Sequence, residues 1–504
     1  MGYPTATDFF VQQAIPNNCT AKNLGPCQRL NLGIQALAGQ QSITSLADEF
    51  DVSRKFIYQQ ADRAQAALED AFSPDDSEDQ VLFHLPVTKA WLHQVVLGLV
   101  LVCHSSYRGV IEFSRDLLDV KLSLGTVHNI VHAAVDQARV QTQQVDLSHI
   151  EVGGLDEIFQ AGRPVLVGAD IHSTYCFLLS QEEHRDADTW AVRLLELAEH
   201  GFDPQATIAD FGAGIRAGVK LALPDTPCRG DVFHALMDLT ALTTYLDNRA
   251  YDAIASHDKL HKKQTTTRRR GRSCQSLSRK LTLARQAQAK AITLADDIAM
   301  LTHWLQNDVF AVSSLAYDDR CALYDFLVEQ LQARQSLCPH RIGPVCTLLK
   351  NHRDELLAFA AQLDQDLQRL AATFEIPVKL VRDMLDLHTR DPRRPQYWQN
   401  QAALRRQLGQ RFSPLQQAVR YVADHTVRSS SIIENINSRL RNYFFLRRHL
   451  GNDYLTLLQF FLNHRCFLRS ECPERVGKSP TQLLTGVEHP HWLDMLGYKR
   501  FSQN

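Results

Sequence analysis

The sequence predicts an α/β core that is interrupted by a large all-α insertion and preceded by N-terminal helix-turn-helix domains. Three observations lead to this prediction. Apolar residues change from helical to strand periodicity near residue 150, where short β-rich runs such as PVLVGADIHS begin. Strand patterns stop near residue 240, and helical sequence rich in Gln and Leu continues to residue 425. Before residue 150, two segments each combine an amphipathic helix, a turn and a capped second helix.

Composition is typical of an intracellular globular protein. The chain has 504 residues, of which 44% are hydrophobic and 22% are charged, and its net charge is −2. Its eleven cysteines include no CxxC pair, so we expect free thiols in a reducing compartment. No apolar run approaches the ~18 residues of a membrane span, and the N-terminus has no secretory pattern. We therefore expect a cytoplasmic protein that has no membrane partner.

Domain boundaries follow from these changes and from the stretch SPDDSEDQ, which is typical of a solvated acidic linker. The predicted order is an N-terminal arm with the first helix-turn-helix (1–72), the acidic linker (73–80), a second helical DNA-binding domain (81–149), the first part of the core (150–240), the helical insertion (241–425), the second part of the core (426–470) and a C-terminal tail (471–504). The two parts of the core must pack together across the insertion.

The first helix-turn-helix is predicted from SITSLADEFDVSRKFIYQQADRAQAALEDAF. Ile57 is the expected inward residue of its second helix. Arg54, Lys55 and Tyr58 then lie near the exposed N-terminal half, where a recognition helix contacts base edges and phosphates. A plain helical hairpin is the alternative, because the turn lacks a glycine and Gln60 stands where an apolar residue is more common.

A second unit spans residues 106–139, with Ser123 as the cap of its second helix and an apolar stripe that includes Val127 and Val131. Two units in tandem fit a bipartite DNA site better than either fits alone. A scaffolding role for both units is the alternative.

A strongly basic segment lies within the predicted insertion. Residues 259–290 contain eleven Lys or Arg and no Asp or Glu. A solvated loop is the default interpretation of a charge run, but so many unbalanced charges favour contact with the DNA backbone. The candidate contacts are Lys262, Lys263, Arg268, Arg269, Arg270 and Arg272.

Two acids occupy positions that suit metal chemistry. Asp156 lies within the first predicted strand, and Asp210 ends the fourth, ATIAD. Adjacent parallel strands would bring these carboxylates together, which is unfavourable unless a divalent cation neutralises them. Oxygen ligands favour Mg²⁺ or Mn²⁺ over zinc. Glu157 and Asp170 are alternatives for the first position.

A third acid is expected from a late helix in SSSIIENINSRLRNYFFLRRHLG. Its apolar residues share one stripe, and Glu434 lies on another beside Asn437 and Arg441. Arg441, Arg447 and Arg448 are candidate phosphate contacts of this helix. Asp231, in DVFH, is a weaker alternative for the second acid.

At these residues the sequence resembles the DDE-type transposases of bacterial insertion sequences. The matching pieces are GLDEIF, TIADFGAGIRAG with CRGDVFHAL, the Glu434 helix and the ending ERVGKSPTQLLTG. The resemblance implies an RNase H-like core with a mixed five-stranded sheet, in which Asp156, Asp210 and Glu434 form the catalytic, metal-binding triad. The second and third acids are 224 residues apart (434 − 210), which a helical insertion accommodates.

The resemblance also implies a mechanism. Two Mg²⁺ or Mn²⁺ ions per active site would activate water, and later a 3′-hydroxyl, and would stabilise the leaving 3′-oxygen. The implied partners are double-stranded DNA, as element ends and target, and further copies of the chain in at least a dimer on the bacterial nucleoid. Alternatives are a transposase-derived DNA-binding regulator that no longer cuts and a nuclease that cuts without joining. A structural zinc at Cys228, His234, His464 and Cys466 is a minor alternative without supporting spacing.

Overall fold

The computed structural model describes residues 21, 24–72, 85–446, 450–470 and 472–501. The chain divides into two compact units, and the boundary lies between Pro86 and Val87. The predicted acidic linker falls outside the described residues. None of the helices in the described ranges is long and apolar enough to cross a membrane. The ten cysteines in these ranges are free thiols.

The described residues of the first unit form the helices α1 (Pro26–Ala38), α2 (Ile43–Glu49) and α3 (Arg54–Phe72). The turn between α2 and α3 gives the helix-turn-helix arrangement that the sequence predicts, and Ile57 is fully buried as expected. Gln60 is buried on α3, where α1 approaches. A Cβ atom at Gly33 of α1 would lie 2.7 Å from the Gln60 carbonyl oxygen, so the missing side chain lets α1 pack closely on α3.

The second unit begins with α4 (Lys89–Leu101), α5 (Tyr107–Leu118) and α6 (Leu124–Gln143). Ser123 caps α6 as predicted, because its Oγ accepts a hydrogen bond of 3.0 Å from the Thr126 N–H. The apolar stripe of α6 is buried in the same hydrophobic core as the central strands of the sheet. The predicted second DNA-binding domain is therefore part of the core that supports the sheet.

A mixed five-stranded sheet forms the centre of the second unit, as the sequence predicts. Its strands are β1 (Val152–Gln160), β2 (Arg163–Asp170), β3 (Cys176–Gln181), β4 (Ala206–Ala209) and β5 (Cys228–Gly230), in the order β3-β2-β1-β4-β5. The first three strands form an antiparallel meander, whereas β4 and β5 run parallel to β1. The connections to β4 and β5 contain α7 (Ala187–Ala198) and α8 (Ala213–Ala222).

A long helical segment follows β5, as expected for the insertion. Its helices are α9 (Val232–Arg269), α10 (Gln275–Trp304), α11 (Tyr317–Ala333), α12 (Pro339–Asn351), α13 (Arg353–Thr373), α14 (Val378–Thr389), α15 (Pro395–Leu408) and α16 (Phe412–His425). Helix α9 begins directly after β5 and crosses residue 240 without a break. The helical segment therefore starts earlier than the change in sequence pattern indicates.

The described residues after the insertion form α17 (Ser431–Leu446), α18 (Asn452–His464), α19 (Pro480–Thr485) and α20 (Trp492–Met495). Helix α17 lies against β1, and glycine makes this approach close. A Cβ atom at Gly154 would lie 2.8 Å from Cγ1 of Ile433. Because Ile433 is buried there, the next residue, Glu434, is placed beside the middle of β1.

Candidate metal centre

Asp156 lies in the middle of β1, on the face that α17 covers, and its side chain is almost fully buried. Oδ1 accepts a hydrogen bond of 2.7 Å from the Glu157 N–H, and Oδ2 accepts one of 2.7 Å from Nδ2 of Asn437. Burial raises the pKa of Asp156 to about 6, and the neighbouring carboxylates of Asp210 and Glu434 act in the same direction. A bound cation would stabilise the ionised form of Asp156, which burial and the neighbouring carboxylates disfavour.

Asp210 directly follows β4. Leu155 of β1 pairs with Ala209 of β4, so Asp156 and Asp210 occupy the next position on two adjacent parallel strands. Backbones of neighbouring strands are about 5 Å apart, so the two residues are neighbours across the sheet. Oδ1 of Asp210 accepts a hydrogen bond of 3.0 Å from the Gly212 N–H.

Glu434 lies in the first turn of α17, and its side chain is 22% exposed. Oε2 is 3.6 Å from a guanidinium nitrogen of Arg441, one of the predicted phosphate contacts. Oε1 is 3.8 Å from Nε2 of His234. Helix α17 therefore places the Glu434 carboxylate close to His234, at the start of α9.

His234 and Asp231 form a pair at the N-terminus of α9. Asp231 caps the helix and is fully buried, and its Oδ2 lies 2.8 Å from Nδ1 of His234. This hydrogen bond raises the pKa of His234 to about 9 against the effect of burial, and the carboxylates of Asp156 and Asp210 contribute. The bond also orients Nε2 toward Glu434, which is how a carboxylate commonly fixes a metal-binding histidine.

The role of this pair was missed at the level of sequence, where Asp231 is only an alternative second acid and His234 only part of a zinc site. The usable signal was the Asp-x-x-His spacing at the start of a helix, because residues three apart lie on one face. His464, another residue of the alternative zinc site, is buried in α18. Its Nδ1 lies 2.8 Å from the Phe460 carbonyl oxygen.

Asp156, His234 and Glu434 form one cluster, which contains two acids of the predicted triad, Asp156 and Glu434, and not the third, Asp210. Each offers a ligand atom, and these three atoms lie within 4.8 Å of one another. Within the part of the chain that the structure describes, no other group of three or more His, Cys, Asp or Glu side chains has such spacing. Oδ1 of Asn437, beside Asp156, is buried without a hydrogen-bond partner among the described residues. Two carboxylates, an imidazole and an unpartnered amide oxygen suit a divalent cation.

The two alternatives for the first acid lie elsewhere. Asp170 pairs across the sheet with Gly153, and its Oδ2 accepts hydrogen bonds from the N–H and Oγ of Ser173 at 2.7 and 2.6 Å. Glu157 points to the opposite face of β1, where it accepts a 2.9 Å hydrogen bond from Nε1 of Trp190. Neither acid belongs to the cluster.

The predicted DNA contacts occupy several surfaces. The basic segment forms the outer end of an antiparallel hairpin of α9 and α10, with its turn at residues 270–274. Its six candidate side chains are exposed, and none pairs with an acid among the described residues: Lys262, Lys263, Arg268, Arg269, Arg270 and Arg272. In the first unit, Arg54, Lys55 and Tyr58 are exposed near the start of α3. Arg447 and Arg448 lie outside the described residues.

Comparison with known proteins gives no assignment. No family model matches the sequence, and no curated protein matches it. Function must therefore be inferred from the chemistry of the centre and from the surfaces around it.

Proposed function

We propose that the chain is a DNA transposase of the DDE type, which cleaves DNA at element ends and joins the released 3′-hydroxyl to target DNA. The observation that carries this proposal is the convergence of Asp156 and Glu434 with His234, within 4.8 Å, beside Asp210 on the adjacent strand. An acid on β1, an acid after β4 and an acid on a late helix are the positions that the resemblance implies. The strand order and directions support an RNase H-like core.

The acids fit the role of metal ligands in this reaction. Asp156, Asp210 and Glu434 would hold Mg²⁺ or Mn²⁺, two ions per site, with His234 as a further donor to one of them. Such ions activate the attacking oxygen and stabilise the leaving oxygen in phosphoryl transfer. Asn437 orients Asp156, and Asp231 orients His234, so both side chains are held before the substrate binds.

The surroundings supply positive charge for the substrate. Arg441 lies on the exposed side of Glu434, where it would bind a phosphate next to the scissile bond. The hairpin of α9 and α10 would bind duplex backbone, and the exposed start of α3 would contact the element end. Joining two ends requires two active sites, so we expect at least a dimer on DNA.

Replacement of Asp210 by Asn tests this function. We expect it to reduce Mg²⁺-dependent cleavage of linear element-end DNA at least about a hundredfold, because metal ligands contribute several kcal/mol to such reactions. DNA binding in a mobility-shift assay should change little. The matched control is Asp170→Asn, which removes a buried acid outside the centre and should retain cleavage.

Two results would reject the proposal. Loss of binding together with cleavage in Asp210→Asn would assign the residue a structural role, and cleavage by the wild type in excess EDTA would exclude metal-dependent chemistry. Strand-transfer products on a second DNA separate transposition from cleavage by a nuclease.

A further inference from the structure

A second cleft lies on the other side of α17 from the metal centre. It has a volume of about 620 Å³ and is lined by residues of α17, by Leu462 near the end of α18 and by described residues between Phe467 and Pro480. A neighbouring cavity of about 270 Å³ shares Arg439, Arg469 and Phe467 with it. The two cavities are therefore parts of one groove.

Arginine dominates the polar lining of this groove. Arg439, Arg469 and Arg475 line the larger cavity, and Arg465 joins Arg439 and Arg469 in the smaller one. No described Asp or Glu lines either cavity, and the four guanidinium groups form no ion pair with an acid in the described ranges. Several guanidinium groups on one surface attract an anionic ligand.

The lining of the groove also includes apolar side chains and an aromatic residue, Phe467. Ile432, Ile436 and Leu462 form its apolar wall. The Phe467 N–H donates a 2.8 Å hydrogen bond to the Lys478 carbonyl, and the Gly477 N–H donates one of 2.8 Å to the Phe467 carbonyl. These hydrogen bonds fix the backbone of Phe467, which lines both cavities.

Helix α17 is the wall that separates this groove from the metal centre. Glu434 and Arg439 are five residues apart, which places them on nearly opposite sides of the helix. An α-helix is about 10 Å across with its side chains, so the groove begins about one helix width from the cluster. A flexible strand that leaves the centre can reach it.

We propose that this groove binds one or two nucleotides of an unpaired nucleic-acid strand, with phosphates on the arginines and a base against Phe467. Guanidinium groups around an aromatic platform are the combination that single-strand binding uses. A cavity of this size accommodates a ligand of small-molecule dimensions and does not admit a duplex. The choice of nucleic acid as the anion rests on the proposed function.

The first test measures binding by the full chain of a fluorescein-labelled single-stranded oligodeoxynucleotide in EDTA. We expect Arg439→Gln with Arg469→Gln to weaken binding at least about tenfold and to lower the salt slope by about 1.4, because two phosphates are no longer neutralised. The matched control is Arg393→Gln with Arg406→Gln, which removes the same charge from exposed positions on and before α15. Equal affinities and slopes for the two double variants would overturn the proposal.

The second test requires no variant, so a folding defect cannot affect it. A single strand carrying 5-iododeoxyuridine is photo-crosslinked to the wild-type chain in EDTA, and the modified peptide is identified by mass spectrometry. We expect the crosslink at Phe467, and crosslinks confined to other segments would reject the groove as the site.

These tests and the test of the proposed function fail separately. Both binding assays omit metal, so a chain that binds a strand in the groove but never cuts DNA would reject only the transposase assignment. A chain that cuts DNA while its groove variant binds single strands like the control would reject only this inference.

Discussion

Asp231 is the residue on which the order of the metal centre depends most. Its carboxylate caps α9 through the Phe233 N–H at 2.8 Å, accepts hydrogen bonds from the Ser430 N–H and hydroxyl, and contacts His234. One buried acid thus joins the start of α9 to the start of α17. It also decides which nitrogen of His234 faces the cluster.

Replacing Asp231 by Asn should weaken the binding of Mn²⁺ by about 10–100-fold, although no ligand is removed. The amide can donate to Nδ1, which moves the imidazole proton to Nε2 and blocks the nitrogen that faces Glu434. Isothermal titration calorimetry with Mn²⁺ measures the change. Ser430→Ala is the control, because it removes one hydrogen bond to Asp231 and leaves the carboxylate. Equal losses in both variants would point to packing instead of the tautomer.

His464 should contribute to acid destabilisation. Burial, with a smaller contribution from the nearby His489, lowers its pKa to about 4, although the bond to the Phe460 carbonyl acts in the opposite direction. The unfolded chain takes up this proton near pH 6.5, so stability is lost as the pH falls from 6.5 toward 4, by up to about 3 kcal/mol. We expect the melting temperature of His464→Gln to fall less between pH 7 and pH 5 than that of the wild type. His128→Gln, at an exposed position on α6, should keep the wild-type dependence, and an unchanged slope in His464→Gln would contradict the assignment.

At the scale of elements, the glycines of GAGIRAG serve packing. The sequence predicts no phosphate loop here, because neither GxGxxG with its acid nor a P-loop pattern is present. Gly218 of α8 lies directly against α7, where a Cβ atom would collide with Cβ of Trp190 and lie 2.9 Å from the Ala187 carbonyl oxygen. Since α8 begins at Ala213, shortly after Asp210, this close crossing also fixes the end of β4.

Gly218→Ala should therefore destabilise the second unit by about 1–3 kcal/mol, because the added methyl group overpacks the crossing. Gly98→Ala is the matched control, since a Cβ atom there meets nothing within 4 Å and alanine favours the helical conformation of α4. Thermal unfolding of the two variants measures the difference. Equal melting temperatures would show that α7 and α8 separate easily.

The hairpin of α9 and α10 is the element for which we expect contact with duplex backbone. Changing Arg268, Arg269 and Arg270 to Gln should reduce the salt slope of duplex binding by about one unit for each phosphate that these arginines bind. Anisotropy titrations across a range of salt concentrations measure the slope. The same three positions changed to Lys keep the charge and should keep the slope. An unchanged slope in the Gln variant would show that these arginines face solvent and do not bind DNA phosphates.

At the scale of the whole molecule, a cation in the centre would connect parts of the chain that are distant in sequence. Asp156 comes from β1, His234 from the first turn after β5 and Glu434 from the helix that follows the insertion. Ligand binding to the folded state alone raises its stability, by about 2.7 kcal/mol at a hundred times the dissociation constant.

Saturating Mn²⁺ should therefore raise the melting temperature of the wild type by a few degrees, and EDTA should reverse the rise. His234→Gln and Asp156→Asn should lose most of the shift, because each removes a donor of the cluster. Asp170→Asn should keep it. A full shift in His234→Gln would show that the imidazole is not a ligand.

The sequence by itself determined the local structure: the strand runs, the cap at Ser123, the apolar stripe of α17 and the long helical insertion. These depend on residue spacing over a few turns, which the sequence contains directly. It also placed Asp156 in the first strand and Asp210 at the end of the fourth, whereas the adjacency of these two strands is a property of the folded sheet. Only the tertiary structure decided which side chains share the centre with Asp156. His234 and Glu434 meet because α9 and α17 both begin at the buried carboxylate of Asp231, and Gly154 lets α17 approach β1. Contacts across 200 residues (434 − 234) arise from packing, and no local pattern in the sequence specifies them.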